Sequence, residues 1–452
     1  MPTTVLWFRR DLRLSDHPAL VEAHRAAGSD GTVVALFCLD DRLWEPAGEN
    51  RKAFLVGCLR ALDASVGGHL VVRRGNPVDV VSGLAAEVDA AHVFVTADFG
   101  PHGSGRDARV ADGLRAAGRL LTRVGAPYAV EPGTILNGSG RPYQVFTPYS
   151  KAWVATGWPS AIQAPASVRW ASGLRTEDLP APTPTASWLP EPGEAAAKAT
   201  ARRFYDQHLA DYDEQRNDAA GDTTSRLSPY LKWGCIHPRQ LLQCLGTTKA
   251  EGAFRGELCW REFYADVLHH RPETVRHAFN PLMEPMEVDR RGTAPRFAAW
   301  CEGRTGYPII DAGMRQLVGE GWVHNRVRML VASFLVKDLH LHWTRGARFF
   351  MEHLVDGDLA SNQHGWQWVA GTGTDASPYF RIFNPTTQGE RFDPGGTYVR
   401  RWVPELEQVR DRFIHHPWDD PAGLPPGYPP PMLDHAEERE ESLRRYAALR
   451  GR

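Results

Sequence analysis

Most features that announce a specialised class of protein are missing from this sequence. No apolar run reaches the roughly 18–20 residues a bilayer crossing requires. The opening MPTTVLWFRRDLRL carries charges where a secretory signal has its apolar segment, so a cytoplasmic protein is expected. The six cysteines (Cys38, Cys58, Cys235, Cys244, Cys259, Cys301) form no CxxC pair and no zinc-finger spacing with histidine. Structural zinc is thereby excluded, and reduced, mostly buried thiols are expected. Neither sign of charge dominates: 52 Lys+Arg stand against 54 Asp+Glu, a net charge of -2. Any nucleic-acid binding must therefore come from a local patch. GxSxG, HExxH and Walker motifs are absent, and nothing marks a Ser/His/Asp triad, which sets hydrolases aside. The turn after the first apolar run reads FRRDLRLSD rather than GxGxxG, so the usual dinucleotide fingerprint is missing too.

What remains is a folded chain of 452 residues with 42% hydrophobic and 23% charged residues, long enough for two or three units. It contains 15 Trp, most of them after residue 150. Up to about residue 135, the runs TVLWF, TVVALFCL, HLVVRR, AHVFVTA and APYAV alternate with amphipathic stretches such as PALVEAHRAAG and PVDVVSGLAAEV. That rhythm predicts an α/β domain, a doubly wound parallel sheet wrapped by helices. Residues 136–193 read as an interdomain linker, because Pro159, Pro165, Pro180, Pro182, Pro184, Pro190 and Pro192 interrupt any regular element. From 194 to 416 apolar residues recur at three and four, which predicts a mainly α-helical domain. Residues 417–452 read as a Pro-rich strap and a charged C-terminal helix. There is no internal repeat.

Four stretches of the second half can carry chemistry. GDTTSRLSPYLKWG (221–234) offers three consecutive hydroxyls before a helix-like run, which serve either to hold a phosphate or as an ordinary helix cap. GELCWREFYADVL (256–268) places Glu257 and Trp260 on one helix face, suited to hydrogen-bonding and stacking on a base. The alternative there is a surface Glu257–Arg261 pair beside a core Trp. In 321–343, an amphipathic run, Asn325, Arg326, Arg328 and Met329 fall in the first turns. Arginines oppose the helix dipole there and point either to an anionic partner or to solvent. The stretch 355–393 brings Asp356, Asp358, Asn362, Trp366 and Trp368 together in what reads as a long functional loop, where glycines admit a flat ligand and carboxylates pair with ribose hydroxyls or ring N–H groups. No third ligand supports a metal there, and none is expected elsewhere.

In that order, with FRRDLRLSD at the start and TGYPIIDAGMRQL before Trp322, the blocks WREFY, WVHNRVRM and DGDLASNQHGWQW resemble the photolyase and cryptochrome family, most closely its class I cyclobutane pyrimidine dimer enzymes. The resemblance spans roughly residues 5–415. It implies an N-terminal antenna domain and a helical C-terminal domain holding a folded FAD. It also implies light-driven splitting of pyrimidine dimers in UV-damaged DNA, a lyase reaction in which the dimer is flipped out of the duplex. By that resemblance Tyr212, Thr224, Ser225, Arg226, Leu227 and Ser228 hold the FAD phosphates and ribitol. Asn325, Asp356 and Asp358 contact the isoalloxazine and adenine ends, and Asn362 faces flavin N5, which governs protonation of the reduced ring. Glu257 bonds the thymine edge, Trp260 and Trp368 pack on the dimer, and Asn325 and Met329 complete the pocket. Arg216, Arg326 and Arg400 meet DNA phosphates.

Trp366 and Trp343 match the two inner members of the chain of tryptophans that carries electrons to flavin in relatives. The outer place falls at Arg290, with Trp300 the nearest later Trp, so another outer donor or slower photoreduction is expected. Arg10, Asp40, Asp98 and Arg106 resemble a site for an 8-hydroxy-5-deazaflavin antenna, with methenyltetrahydrofolate as the alternative chromophore and structural salt bridges as the alternative role. A monomer with no membrane association and no obligate protein partner is expected. The rival readings are a cryptochrome, a signalling flavoprotein without repair activity, and a passive binder of single-stranded DNA. The complete dimer-pocket set and the short stretch after the core argue against the former, and the acidic glycine-rich stretch and near-neutral charge against the latter.

Overall fold

The computed structural model describes residues 2–376 and 378–450; Ser377, within the 355–393 stretch, lies outside the described residues. Two compact units divide the chain. One comprises Met1–Pro184, Pro190–Ala210 and Ser225–Pro272, and the other Thr185–Leu189, Asp211–Thr224 and Glu273–Arg452.

The first unit is built on five parallel strands, β1 (Thr3–Phe8), β2 (Thr32–Leu39), β3 (Leu70–Arg74), β4 (His92–Val95) and β5 (Leu120–Arg123), in the order β3-β2-β1-β4-β5. β1 and β2 are almost wholly buried, which is why they read as continuous apolar runs rather than alternating ones. Pro-initiated helices follow, Pro18–Ala27 capped by His17 and Pro77–Glu87 capped by Asn76. The chain winds outward from β1 to β3 and then returns to β4, so the sheet's switch point lies at the C-terminal ends of β1 and β4. The expected linker 136–193 is not irregular throughout: Phe146–Thr156 is a helix of the first unit, and only the proline-rich part from 157 on is irregular, some of it strapped to the sheet. Glu177 N–H donates to Val72 O at 2.9 Å, and Thr176 Oγ1 accepts from Val72 N–H at 3.0 Å. These bonds cover the otherwise open edge of β3.

One expected strand is displaced. APYAV (126–130) is an irregular bend, and the fifth strand is the preceding LLTR. The bend's backbone finds partners outside the sheet: Ala129 and Val130 N–H donate to the Glu262 carboxylate at 2.6 and 3.1 Å, and Ala126 O meets His237 Nε2 at 2.9 Å.

The second unit is helical and closes over a core that includes Trp300, Ile310, Leu317, Val331, Leu335, Trp343, Phe350 and Trp366. The helices Pro308–Glu320, Asn325–Ser333, Trp343–His353 and Leu359–Ala370 supply most of it. The expected amphipathic run at 321–343 begins as a helix only at Asn325, where the His324 side chain caps Arg326 N–H, and it changes to a π-helix at Phe334–Asp338. The stretch 355–393 is not one loop. Asp358 caps Ser361 N–H at 3.1 Å and starts a twelve-residue helix that ends at left-handed Gly371. The strap's helix is His435–Arg450. Among the described residues no helix is long and apolar enough to cross a membrane, no group of metal-ligating side chains is present, and the cysteines are free, four of the six buried.

Candidate flavin and lesion site

In the first unit Thr248 and Glu251 form a capping box that starts the 22-residue helix Lys249–His270. Glu257 and Trp260 stand on it one turn apart, both half-buried. Arg261 donates to Pro127 O at 3.1 Å and Leu231 O at 3.2 Å and lies over the Tyr128 ring at 4.6 Å. Its guanidinium thus ties the helix to its surroundings rather than forming the surface pair considered above. Glu262 on the same helix is fully buried. Beyond Ala129 and Val130, it accepts from Trp153 Nε1 at 2.7 Å. Burial pushes its pKa up against the opposing effect of those donors. Neither Glu262 nor Phe146, whose ring stacks on Trp260, was found by pattern reading. Their partners lie more than a hundred residues away, and the sole local trace is the spacing of Phe146, Tyr149 and Trp153 along one helix face.

The hydroxyl run divides between the units. In the first, Ser225 Oγ accepts from Leu227 N–H at 3.4 Å, Arg226 takes φ 51°, and Ser228 opens the short helix Ser228–Trp233. The residue capping that helix is Leu227, without a side-chain bond, so these hydroxyls are not used as its cap. In the second unit Tyr212 is buried and Thr223 Oγ1 donates to Gln215 O at 3.1 Å. Thr224 Oγ1 is buried without a hydrogen-bond partner among the described residues.

The second unit holds the other polar candidates. Arg328 donates to Asp356 Oδ2 at 2.9 Å and to Val323 O at 2.8 Å, so its partner is the protein's own buried carboxylate rather than a foreign anion. The other oxygen of Asp356 is buried and unpaired. Asn362 donates both amide protons, to Ala347 O at 3.0 Å and Gln363 Oε1 at 2.9 Å, which leaves its carbonyl oxygen as the acceptor for a ligand. Asp358 caps the helix that carries Asn362, Trp366 and Trp368. A Cβ at Gly346 would lie 2.1 Å from the Trp366 ring, so glycine is what admits that indole. The Trp366 ring meets Phe350 at 5.1 Å and Trp300 at 6.2 Å, and Trp343 stacks with His342 at 5.8 Å. Arg290 is exposed.

Asn325 is exposed, while Met329 and Trp368 are half-buried. Arg326 donates to Asn217 Oδ1 at 2.8 and 3.2 Å and stacks on Phe392 at 4.5 Å, and Arg216 is half-exposed. Arg400 differs from the other arginines expected at phosphates. Its guanidinium donates to the carbonyls of Gly395, Glu407 and Val409 and to Asp411 Oδ1. It clamps a turn and has little left for DNA.

At the switch point of the sheet a shallow cleft is lined by Arg9, Arg10, Thr96, Ala97, Asp98 and Pro127. The antenna candidates there are paired with their neighbours. Buried Arg106 donates to Asp98 at 3.2 Å and Asp107 at 2.9 Å, and Arg9 pairs with the same Asp107. Both guanidinium groups lie on the Trp7 ring, at 5.1 and 4.7 Å. Asp40 caps Arg42 N–H at 3.1 Å and faces His102 at 3.5 Å, while Arg10 Nε donates to Lys232 O at 3.3 Å.

Comparison with known proteins agrees with this picture. A family model described as DNA photolyase matches residues 4–167, and one described as the FAD binding domain of DNA photolyase matches 254–448. A Streptomyces griseus protein named deoxyribodipyrimidine photo-lyase is 41% identical over 97% of this chain and 98% of its own. The crystal structure of a class III photolyase from Agrobacterium tumefaciens is 36% identical, covers 100% of this chain and 98% of that one, and has a TM-score of 0.94. A Synechocystis cryptochrome is 28% identical, with coverage of 98% and 99% and a TM-score of 0.87. Alike in sequence and in fold over nearly its whole length, this chain belongs to the photolyase/cryptochrome family.

Proposed function

We propose that this protein repairs UV-damaged DNA by splitting cyclobutane pyrimidine dimers with light, using FAD as cofactor. The observation that carries this reading is its end-to-end likeness to a deoxyribodipyrimidine photo-lyase, with the dimer-pocket set Glu257, Trp260, Asn325 and Met329 complete. The residues fit a bound flavin nucleotide: the unpaired Thr224 hydroxyl, the free oxygen of Asp356 and the free carbonyl of Asn362 each lack a partner that the cofactor supplies.

Bound reduced FAD would supply the light-driven electron transfer to the lesion, with no net redox change. Tyr212, Thr224, Ser225, Arg226, Leu227 and Ser228 would hold its phosphates and ribitol, Asp356 and Asp358 its polar ring and sugar groups, and Asn362 would face N5 with its carbonyl oxygen available to accept a hydrogen bond there. Glu257 hydrogen-bonds the flipped pyrimidine edge and stabilises the charge that develops there. Trp260 and Trp368 would pack on the dimer, with Met329 as a further apolar contact. Arg216 and Arg326 meet the phosphate backbone. Trp366 and Trp343 relay electrons toward the flavin. A second chromophore, an 8-hydroxy-5-deazaflavin or else methenyltetrahydrofolate, seats at Arg10, Asp40, Asp98 and Arg106. The pocket set supports the class I branch, whereas the Agrobacterium tumefaciens likeness points to class III; both are consistent with the same repair reaction. The protein acts as a cytoplasmic monomer.

The test is the absorption spectrum of purified protein, followed by illumination with a dimer-containing oligonucleotide. A flavin spectrum and loss of the lesion are expected, and a flavin spectrum without lesion loss moves the reading to a signalling cryptochrome. Glu257→Ala should lower the repair yield roughly tenfold or more, since a charge-assisted hydrogen bond contributes about 1.5–3 kcal/mol.

A further inference from the structure

Trp260 is half-buried, and one face of its indole is stacked against a second ring. The ring of Phe146, the first residue of the helix Phe146–Thr156, lies 3.7 Å from it between centroids and within 6° of parallel. Phe263 meets the same indole edge-on at 5.8 Å and 70°, and Tyr264 flanks it at 5.3 Å. A face-to-face stack this close is tighter than the offset or edge-to-face arrangements that ring quadrupoles favour, so packing of the two helices imposes it. That packing is visible further along the same face. Tyr149 meets Phe263 at 5.0 Å, and Trp153 donates to Glu262 at 2.7 Å. Phe146, Tyr149 and Trp153, spaced three and four apart, form one stripe docked on the helix that carries Glu257 and Trp260.

From this geometry we infer that Phe146 is a positioning residue for lesion recognition. It holds the Trp260 indole in a single plane and leaves the opposite face for a flat apolar ligand the size of a pyrimidine pair. A half-buried indole without that backing samples several χ1 and χ2 wells, and a ligand that stacks on it must then pay for ordering it. The claim rests on the reading that Trp260 packs against the dimer.

The test uses flavin-loaded protein and measures binding of dimer-containing and undamaged oligonucleotides together with repair at saturating substrate. Phe146→Ala is expected to weaken dimer binding about tenfold, to leave undamaged DNA binding and saturated repair at the parent level, and to be rescued by Phe146→Tyr, which keeps the ring. Phe146→Leu, which keeps bulk without a ring plane and protects against simple unfolding, is expected to remain impaired. Parent-like dimer binding by Phe146→Ala or Phe146→Leu overturns the inference, as does an equal loss for undamaged DNA. If the parent itself shows no preference for the dimer, the lesion reading fails instead. The positioning role is then judged from the near-ultraviolet circular dichroism that Trp260→Phe removes from the parent: loss of the same band in Phe146→Ala supports it, and retention overturns it.

Discussion

Polar residues at the end of the β1–β4 sheet and polar residues around the helix Leu359–Ala370 differ in what their side chains have left over. At the sheet, Arg9, Arg106, Asp98 and Asp107 are joined in one ion-pair network with Trp7 beneath both guanidinium groups, and Asp107 Oδ2 is its one carboxylate oxygen buried without a hydrogen bond among the described residues. By the helix, Asp356 keeps a buried oxygen without a donor among the described residues and Asn362 keeps its carbonyl, while Thr224, elsewhere in the same unit, holds a buried hydroxyl with no partner among them. Because a buried polar atom left unpaired costs about 1–3 kcal/mol, a fold tolerates such atoms where something else satisfies them. The ion pairs at the sheet form without a chromophore in the cleft, whereas the proposed reading has the unpaired atoms of the second set completed by FAD.

Three measurements break or sharpen that contrast. The largest effect is expected for Asp356→Ala, which removes the unpaired oxygen and the partner of Arg328 together. A charge-assisted hydrogen bond to the cofactor contributes about 1.5–3 kcal/mol, so FAD affinity should fall up to about a hundredfold, seen as loss of flavin absorbance relative to protein, on top of the destabilisation from leaving Arg328 without its carboxylate. Undiminished flavin occupancy would refute the argument from the free oxygen. Arg106→Ala acts on the paired set: it leaves Asp98 and the fully buried Asp107 without their cation. It should cost about 3 kcal/mol of unfolding free energy in denaturant titrations, with flavin content unchanged, and loss of flavin from this variant would erase the contrast.

The smallest effect concerns a paired carboxylate in the second unit. Asp311 accepts from Thr305 N–H and Oγ1, Gly306 N–H and the Tyr428 hydroxyl, yet complete burial pushes its pKa up to about 6. The folded state therefore prefers the protonated form. Stability from this residue is fully present below the ordinary carboxyl value near 3.8 and is lost as pH rises to about 6. The loss approaches 2–3 kcal/mol, roughly two pKa shifts' worth. Denaturant midpoints of Asp311→Asn measured between pH 4 and 7 should lack that slope; an identical slope in parent and variant would show that burial does not dominate at Asp311.

The sequence by itself determined the α/β-then-helical order, four of the five strands and the residue types offered at the candidate site, because those depend on local periodicity and on residue type. Glu257 and Trp260 share a helix face for the same reason that Phe146, Tyr149 and Trp153 do. Only the tertiary structure decided which polar groups are consumed. APYAV has the composition of a strand, but its N–H groups go to Glu262, some 130 residues away, and the fifth strand forms before it. The glycine-rich stretch after Asp356 reads as loop until one sees Asp358 cap it and the core bury Trp366. Arg400 looks like a phosphate ligand until its carbonyl partners are in place, and the backing of Trp260 by Phe146 joins residues more than a hundred positions apart. Hydrogen bonds and stacking contacts link atoms by distance in space, and a linear pattern records residue types without recording which partner each one has met.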